Sequence, residues 1–189
     1  MNSLTSRRAV VLVGGLAALL AGCCSSRECA KCSDHAAAVT PATDAQRTAL
    51  IERVKGLKGE WTSADEQGNQ RVVCRFDVSS NGSVVREIMF PGGEHEMTNV
   101  YHMDGDSLVM THYCARGNQP RMRAHAADGN EIVFVNDGVT NLTEKGGGYM
   151  GGMTLVFKDE NTVIERWQSY RDGKASNDHN TEFVLTRRK

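Results

Sequence analysis

MTNVYHMDGDSLVMTHYC, residues 97–114, decides the fold. Side chains of an extended chain alternate between two faces, so Met97, Asn99, Tyr101 and Met103 share one side of a strand. Asp104-Gly105-Asp106 is a hairpin signal, because glycine accepts the positive φ of a tight turn. With a two-residue loop, Leu108, Met110, His112 and Cys114 on the returning strand join that same face; a three-residue loop reverses the parity. The first arrangement gives a Met-rich apolar face carrying a few polar groups. Glu96, Thr98, His102, Thr111 and Tyr113 then face solvent.

The same period-two pattern extends in both directions. Runs occur near 59–64, 70–79, 83–90, 96–104, 107–115, 121–127, 131–136, 150–158, 162–171 and 179–188. They are separated by turn signals such as Asn81-Gly82, Pro91-Gly92-Gly93, Asp128-Gly129 and Asp172-Gly173. No segment between them is long enough for a crossover helix, so the strands form an antiparallel meander. Closing the meander removes its exposed edges. The expected fold is therefore all-β, an antiparallel up-and-down β-barrel of about 8–10 strands, with a two-sheet sandwich as the alternative. A short helix precedes it, with Thr43 or Asp44 as N-cap and Leu50, Ile51, Val54 and Leu57 on one face, placed to close one end of the barrel.

Gly59-Glu60-Trp61 at the first strand fits the G-x-W of the calycins, the superfamily of lipocalins, fatty-acid-binding proteins and nitrobindin-like haem barrels. Arg187 or Arg188, at the end of the last strand, sits where such barrels place an arginine over that tryptophan. The segment from His95 to Ala124 also resembles uncharacterised bacterial lipocalin-like proteins. This resemblance implies a barrel sealed behind Trp61, and a small ligand enclosed within it.

The candidate cavity residues are Trp61, Met97, Asn99, Tyr101, Met103, Met110, His112 and Cys114. His112 is either a ligand to a haem iron or a hydrogen-bond partner of a bound molecule, or else a core histidine satisfied by a neighbouring Tyr or carbonyl. Cys74 and Cys114 either form a disulfide or stand as separate buried residues. Arg116, with Arg121 and Arg123 on one strand face, is a candidate anion contact. The glycine-rich stretch 145–152 lacks the Gly-Lys-Ser/Thr ending of a phosphate loop and reads as a mobile rim or a bulged strand. No G-x-S-x-G, H-E-x-x-H or calcium-loop spacing is present, so no catalytic residue and no cofactor is assigned.

The N-terminal segment gives the expected address. Arg7 and Arg8 precede an apolar run from Ala9 to Ala21, too short for a membrane span and typical of a secretory signal. Leu20-Ala21-Gly22-Cys23 resembles the lipobox of bacterial lipoproteins. The resemblance implies cleavage after residue 22, acylation of Cys23 and anchorage in the lipid bilayer at the periplasmic face of the inner or outer membrane. Residues 23–42 then form a flexible tether, and residues 43–189 the barrel domain with its helix. Within the tether, Cys24, Cys29, Cys32 and His35 are either plain thiols and a local disulfide or a metal or redox cluster. Without residues 1–22 the chain has 20 basic against 23 acidic side chains, which argues against a nucleic-acid partner.

Two uses of the barrel follow. It either binds a small apolar or amphipathic molecule without turnover, or it has a solid core and serves as a structural or interaction protein of the cell envelope.

Overall fold

The computed structural model describes residues 38–189 apart from Glu66 and Lys145; the expected signal segment and lipidation site, Cys23, and the expected tether's Cys24, Cys29, Cys32 and His35 lie outside the described residues. Ten antiparallel strands close into a barrel. They are β1 (Gly59–Ala64), β2 (Gln70–Ser79), β3 (Val84–Met89), β4 (Met97–Asp104), β5 (Ser107–Tyr113), β6 (Gln119–Ala124), β8 (Glu131–Thr140), β9 (Tyr149–Asp159), β10 (Thr162–Arg171) and β11 (Lys174–Arg187). A two-residue strand, β7 (Ala127–Asp128), turns the chain between β6 and β8. Each strand pairs with its neighbour in sequence. The ring shuts through β1 against β11 on one side and β6 against β8 on the other.

The deciding hairpin has the two-residue loop. Asp104 pairs with Ser107, and Gly105 supplies the positive φ (62°) at the first turn position, as a type II′ turn requires. Asn99 therefore pairs with His112 and Tyr101 with Met110, all four pointing inward and buried. β8 and β11 are longer than the alternation suggests. β11 begins at Lys174 because Asp172-Gly173 makes a two-residue turn back from Arg171.

The helical segment α1 runs through Asp44–Arg47, a wider π-type turn Thr48–Glu52, and Arg53–Lys55. Thr43 caps it in a reciprocal box with Gln46, whose side chain accepts from the Thr43 backbone while the Thr43 hydroxyl accepts from the Gln46 N–H. Leu50, Ile51, Val54 and Leu57 all lie in the core.

At this closed end the Trp61 indole donates to the Leu57 carbonyl at 2.6 Å, and the Arg187 guanidinium lies 4.4 Å from the centre of a Trp61 ring. Arg187 also donates to the carbonyls of Glu160, Lys58 and Gly56, so it ties the last strand to both flanks of β1. Of the two candidate arginines, the one over the tryptophan is thus Arg187; Arg188 pairs with Glu60 instead.

Above this plug the barrel axis is filled by its own side chains. Phe76, Leu108, Met110, Met122, Phe134, Met153, Leu155 and Leu185 form one contiguous core with Trp61 and Tyr101. The space expected behind Trp61 is therefore packed.

Candidate functional site

Halfway up the barrel the apolar packing gives way to polar groups that are completely buried. The inward positions of β3 run Val85, Glu87, Met89, and those of β10 run Val163, Glu165, Trp167. Each carboxyl thus takes a core position because period two places it there. A buried carboxyl is costly unless its oxygens are met by donors. Glu87 accepts from the Cys74 thiol (3.3 Å), from the Asn99 amide (2.7 Å) and from the Tyr101 hydroxyl (2.6 Å). Glu165 accepts from the Trp167 indole at 3.1 Å.

Burial, and next the neighbouring Glu87 carboxylate, push Glu165 well above the usual carboxylate range. It therefore holds a proton. Its Oε1 has no hydrogen-bond partner among the described residues. Burial likewise pushes Cys74 and Tyr101 up, with the two glutamates adding to it. Cys74, Glu87 and Glu165 bring their ligating atoms within 4.8 Å of one another, a spacing a metal ion could bridge. Both Glu87 oxygens and Glu165 Oε2 are met by donors, which leaves Glu165 Oε1 alone without a partner among the described residues.

The row Glu87, Asn99, His112 crosses β3, β4 and β5 as directly paired residues. Asn99 donates its amide to Glu87 and, at 3.5 Å, to Met89 Sδ, and turns its carbonyl oxygen to His112 Nδ1 at 2.6 Å. Nδ1 must then carry the imidazole hydrogen, which leaves a lone pair on Nε2. Burial lowers His112 to about 4, so the ring is neutral at physiological pH. His112 is 1 % exposed, and its Nε2 has no hydrogen-bond partner among the described residues.

His112 lines a recess of about 90 Å³ at the open end of the barrel. Met89, Met97, Cys114, Met150 and Trp167 form most of its wall, closed by Thr181 and Phe183 of β11. The Trp167 ring lies 5.0 Å from the His112 ring, at a tilt of 53°. Cys114 and Met150 also border an outer cleft of about 250 Å³, whose far side holds Tyr149, Tyr170, Arg116 and His179. The two spaces form one mouth, narrow and apolar inside, wider and mixed outside.

Of the residues expected to line a cavity, Met97, His112 and Cys114 do so here. Asn99 stands behind His112 as its orienting partner. Trp61, Tyr101 and Met110 belong to the packed core, and Met103 lies on the other side, in a groove beside α1. Cys74 and Cys114 are free thiols, Cys74 being held on Glu87. The expected anion clamp is not assembled. Arg121 and Arg123 are each paired with both Asp104 and Asp137 on neighbouring strands, which neutralises them, and Arg116 alone reaches the mouth.

Glu87, Glu165 and Trp167 were missed from sequence. A signal existed: each stands on the apolar beat of a clean alternation. Of the glycine-rich stretch, 146–148 are turn and loop and only Tyr149–Gly152 are strand. β9 starts at Tyr149, and its pairing with β10 slips by one residue between Gln168 and Ser169, where Gly151 is the extra residue. No family model matches the chain, and none of the curated proteins matches it.

Proposed function

We propose that this chain is a lipid-anchored protein of the bacterial cell envelope, acylated at Cys23, whose barrel holds a small ligand at its open mouth without turning it over. One observation carries the reading. His112 Nε2 is buried and without a partner at the recess, while the other ring nitrogen is held by Asn99. A buried acceptor of this kind costs about 1–3 kcal/mol, and a core with only a structural task would fill the position with an apolar side chain. A ligand at the mouth restores the missing contact.

The dimensions limit what fits. The recess and cleft, about 90 and 250 Å³, admit a compact ligand rather than a long acyl chain, since the axis below them is packed. Methionine walls adapt to the shape of what they hold, and Arg116 and His179 at the rim suit a polar end. The packed interior also favours a second reading, a barrel that is purely structural and serves envelope contacts.

Native mass spectrometry on protein extracted from its host's membranes separates the two. The expected result is an added mass that is lost from His112→Gln. Repeated preparations without added mass overturn the binding reading. Cell fractionation tests the anchor separately, because Cys23→Ser should release the protein from the membrane fraction.

A further inference from the structure

The donors around the recess are unusual as a set. Three thioethers (Met89, Met97, Met150), one thiol (Cys114) and one imidazole (His112) converge on about 90 Å³, beside the indole of Trp167. We propose that the recess is a binding site for a single copper(I) ion, ligated by His112 Nε2 and by sulfur from Cys114 and the methionines. The proposal rests on the reading of the mouth as a binding site, and names its occupant.

Three features of the geometry support it. First, the nitrogen is prepared. Glu87 fixes the Asn99 amide, Asn99 fixes the His112 Nδ1 hydrogen, and Nε2 is left as a bare lone pair. This chain of carboxylate, amide and imidazole is how proteins orient a metal-binding histidine.

Second, thioethers and thiols are soft donors and select copper(I) over hard divalent cations. The carboxylates nearby do not compete for the ion. They lie deeper, committed to Cys74, Asn99, Tyr101 and Trp167.

Third, the charge balances. Cys114, ligating as a thiolate and releasing its proton to solvent, cancels the single positive charge of copper(I). An apolar recess can hold that neutral pair, whereas a divalent ion would leave it with an uncompensated charge. The indole of Trp167 adds a π face beside the His112 ring. Cys114 and Met150 border both the recess and the outer cleft, which provides the route in.

The test uses the full-length chain carrying Cys23→Ser, Cys24→Ser, Cys29→Ser and Cys32→Ser, so that the N-terminal thiols do not take up metal. Anaerobic titration with copper(I) against a chromogenic copper(I) chelator should show one ion retained per chain, with quenching of tryptophan fluorescence and no comparable retention of zinc. His112→Gln, Cys114→Ser and Met97→Leu should each weaken retention by about 10–100-fold. Met97→Leu conserves volume and leaves the fold intact, which circular dichroism verifies. The proposal is overturned if the chelator strips all copper from the parent chain, or if affinity is unchanged in Met97→Leu and His112→Gln. In that event, an organic mass on host-derived protein that disappears in His112→Gln means the mouth is a binding site for something other than copper. Absence of both removes the binding reading altogether.

Discussion

Asn99 Oδ1 lies 2.6 Å from His112 Nδ1, on the residue directly paired with it across β4 and β5. The same amide donates to Glu87 and to Met89 Sδ, so one side chain satisfies a carboxylate and fixes an imidazole at once. Asn99→Ala removes both contacts inside a dry core and should cost about 2–4 kcal/mol, read as a lower urea midpoint with an unchanged slope. Asn99→Asp replaces the carbonyl facing His112 by a carboxylate. It should raise the imidazole above its present value of about 4, which NMR titration of the ring would show.

The depressed His112 has a direct consequence for acid stability. In the unfolded chain its imidazole titrates near the ordinary value of 6.5, and in the folded chain near 4. Between those values the unfolded state binds more protons, so stability falls as pH drops from about 6.5 towards 4. The difference amounts to about 3 kcal/mol. His112→Gln should abolish this part of the slope, measured as the difference between wild-type and variant unfolding free energies at pH 7 and pH 4.5.

The hairpin 97–114 was legible because its alternation, its Asp-Gly turn and the burial of one face all demand the same register. The barrel follows from repeating that pattern. What escaped was the filling. Period two says that Glu87, Asn99, His112 and Glu165 point inward, but not whether they meet a cavity, a ligand or each other. Glu87, Asn99 and His112, which lie 78, 66 and 53 positions before Glu165, join it in one cluster only once the ring has closed. Arg121 and Arg123 failed as anion contacts for a similar reason. Asp104 and Asp137, which neutralise them, come from strands whose register sets the pairing.

Glu165 works in the opposite direction to His112. Its pKa is raised by burial and by Glu87, so the folded chain keeps a proton that the unfolded chain releases first. Stability from this group is present in full at acidic pH and falls as pH rises through the raised value. Glu165→Gln keeps the shape of the side chain and an oxygen to accept from Trp167, yet does not titrate. The variant should gain on wild type as pH rises above the ordinary carboxylate value of 4.5. Parallel pH curves for the two proteins would show that Glu165 carries no proton of this kind.

The two terminal arginines should differ sharply despite being neighbours. Arg187 lies over Trp61 and donates to three backbone carbonyls at the plug, whereas Arg188 makes one surface ion pair with Glu60. Arg187→Ala should cost about 2–3 kcal/mol and Arg188→Ala less than about 1 kcal/mol, both read by chemical denaturation. Near-equal losses would mean that the stack over the indole contributes little.

Gly151 sits where the bulge between β9 and β10 bends the mouth. A methyl group added there would stand 2.6 Å from the Tyr170 ring and 2.9 Å from that of Tyr149, against ring atoms of two residues that stack at 5.8 Å. Both tyrosines line the outer cleft, so neither can yield without changing its shape. Gly152, one step along, has its nearest neighbour in Gln168 Cβ at 3.2 Å, a much smaller overlap than the 2.6 Å at Gly151. Gly151→Ala should therefore lose about 1–3 kcal/mol by overpacking, and Gly152→Ala should lose less. Near-ultraviolet circular dichroism reads the tyrosine stack directly: its signal should change in Gly151→Ala and persist in Gly152→Ala. If the mouth binds as proposed, a folded Gly151→Ala variant with an altered stack should also retain less of the mass added in native mass spectrometry, because the outer wall of the mouth has moved while His112 and the recess behind it have not.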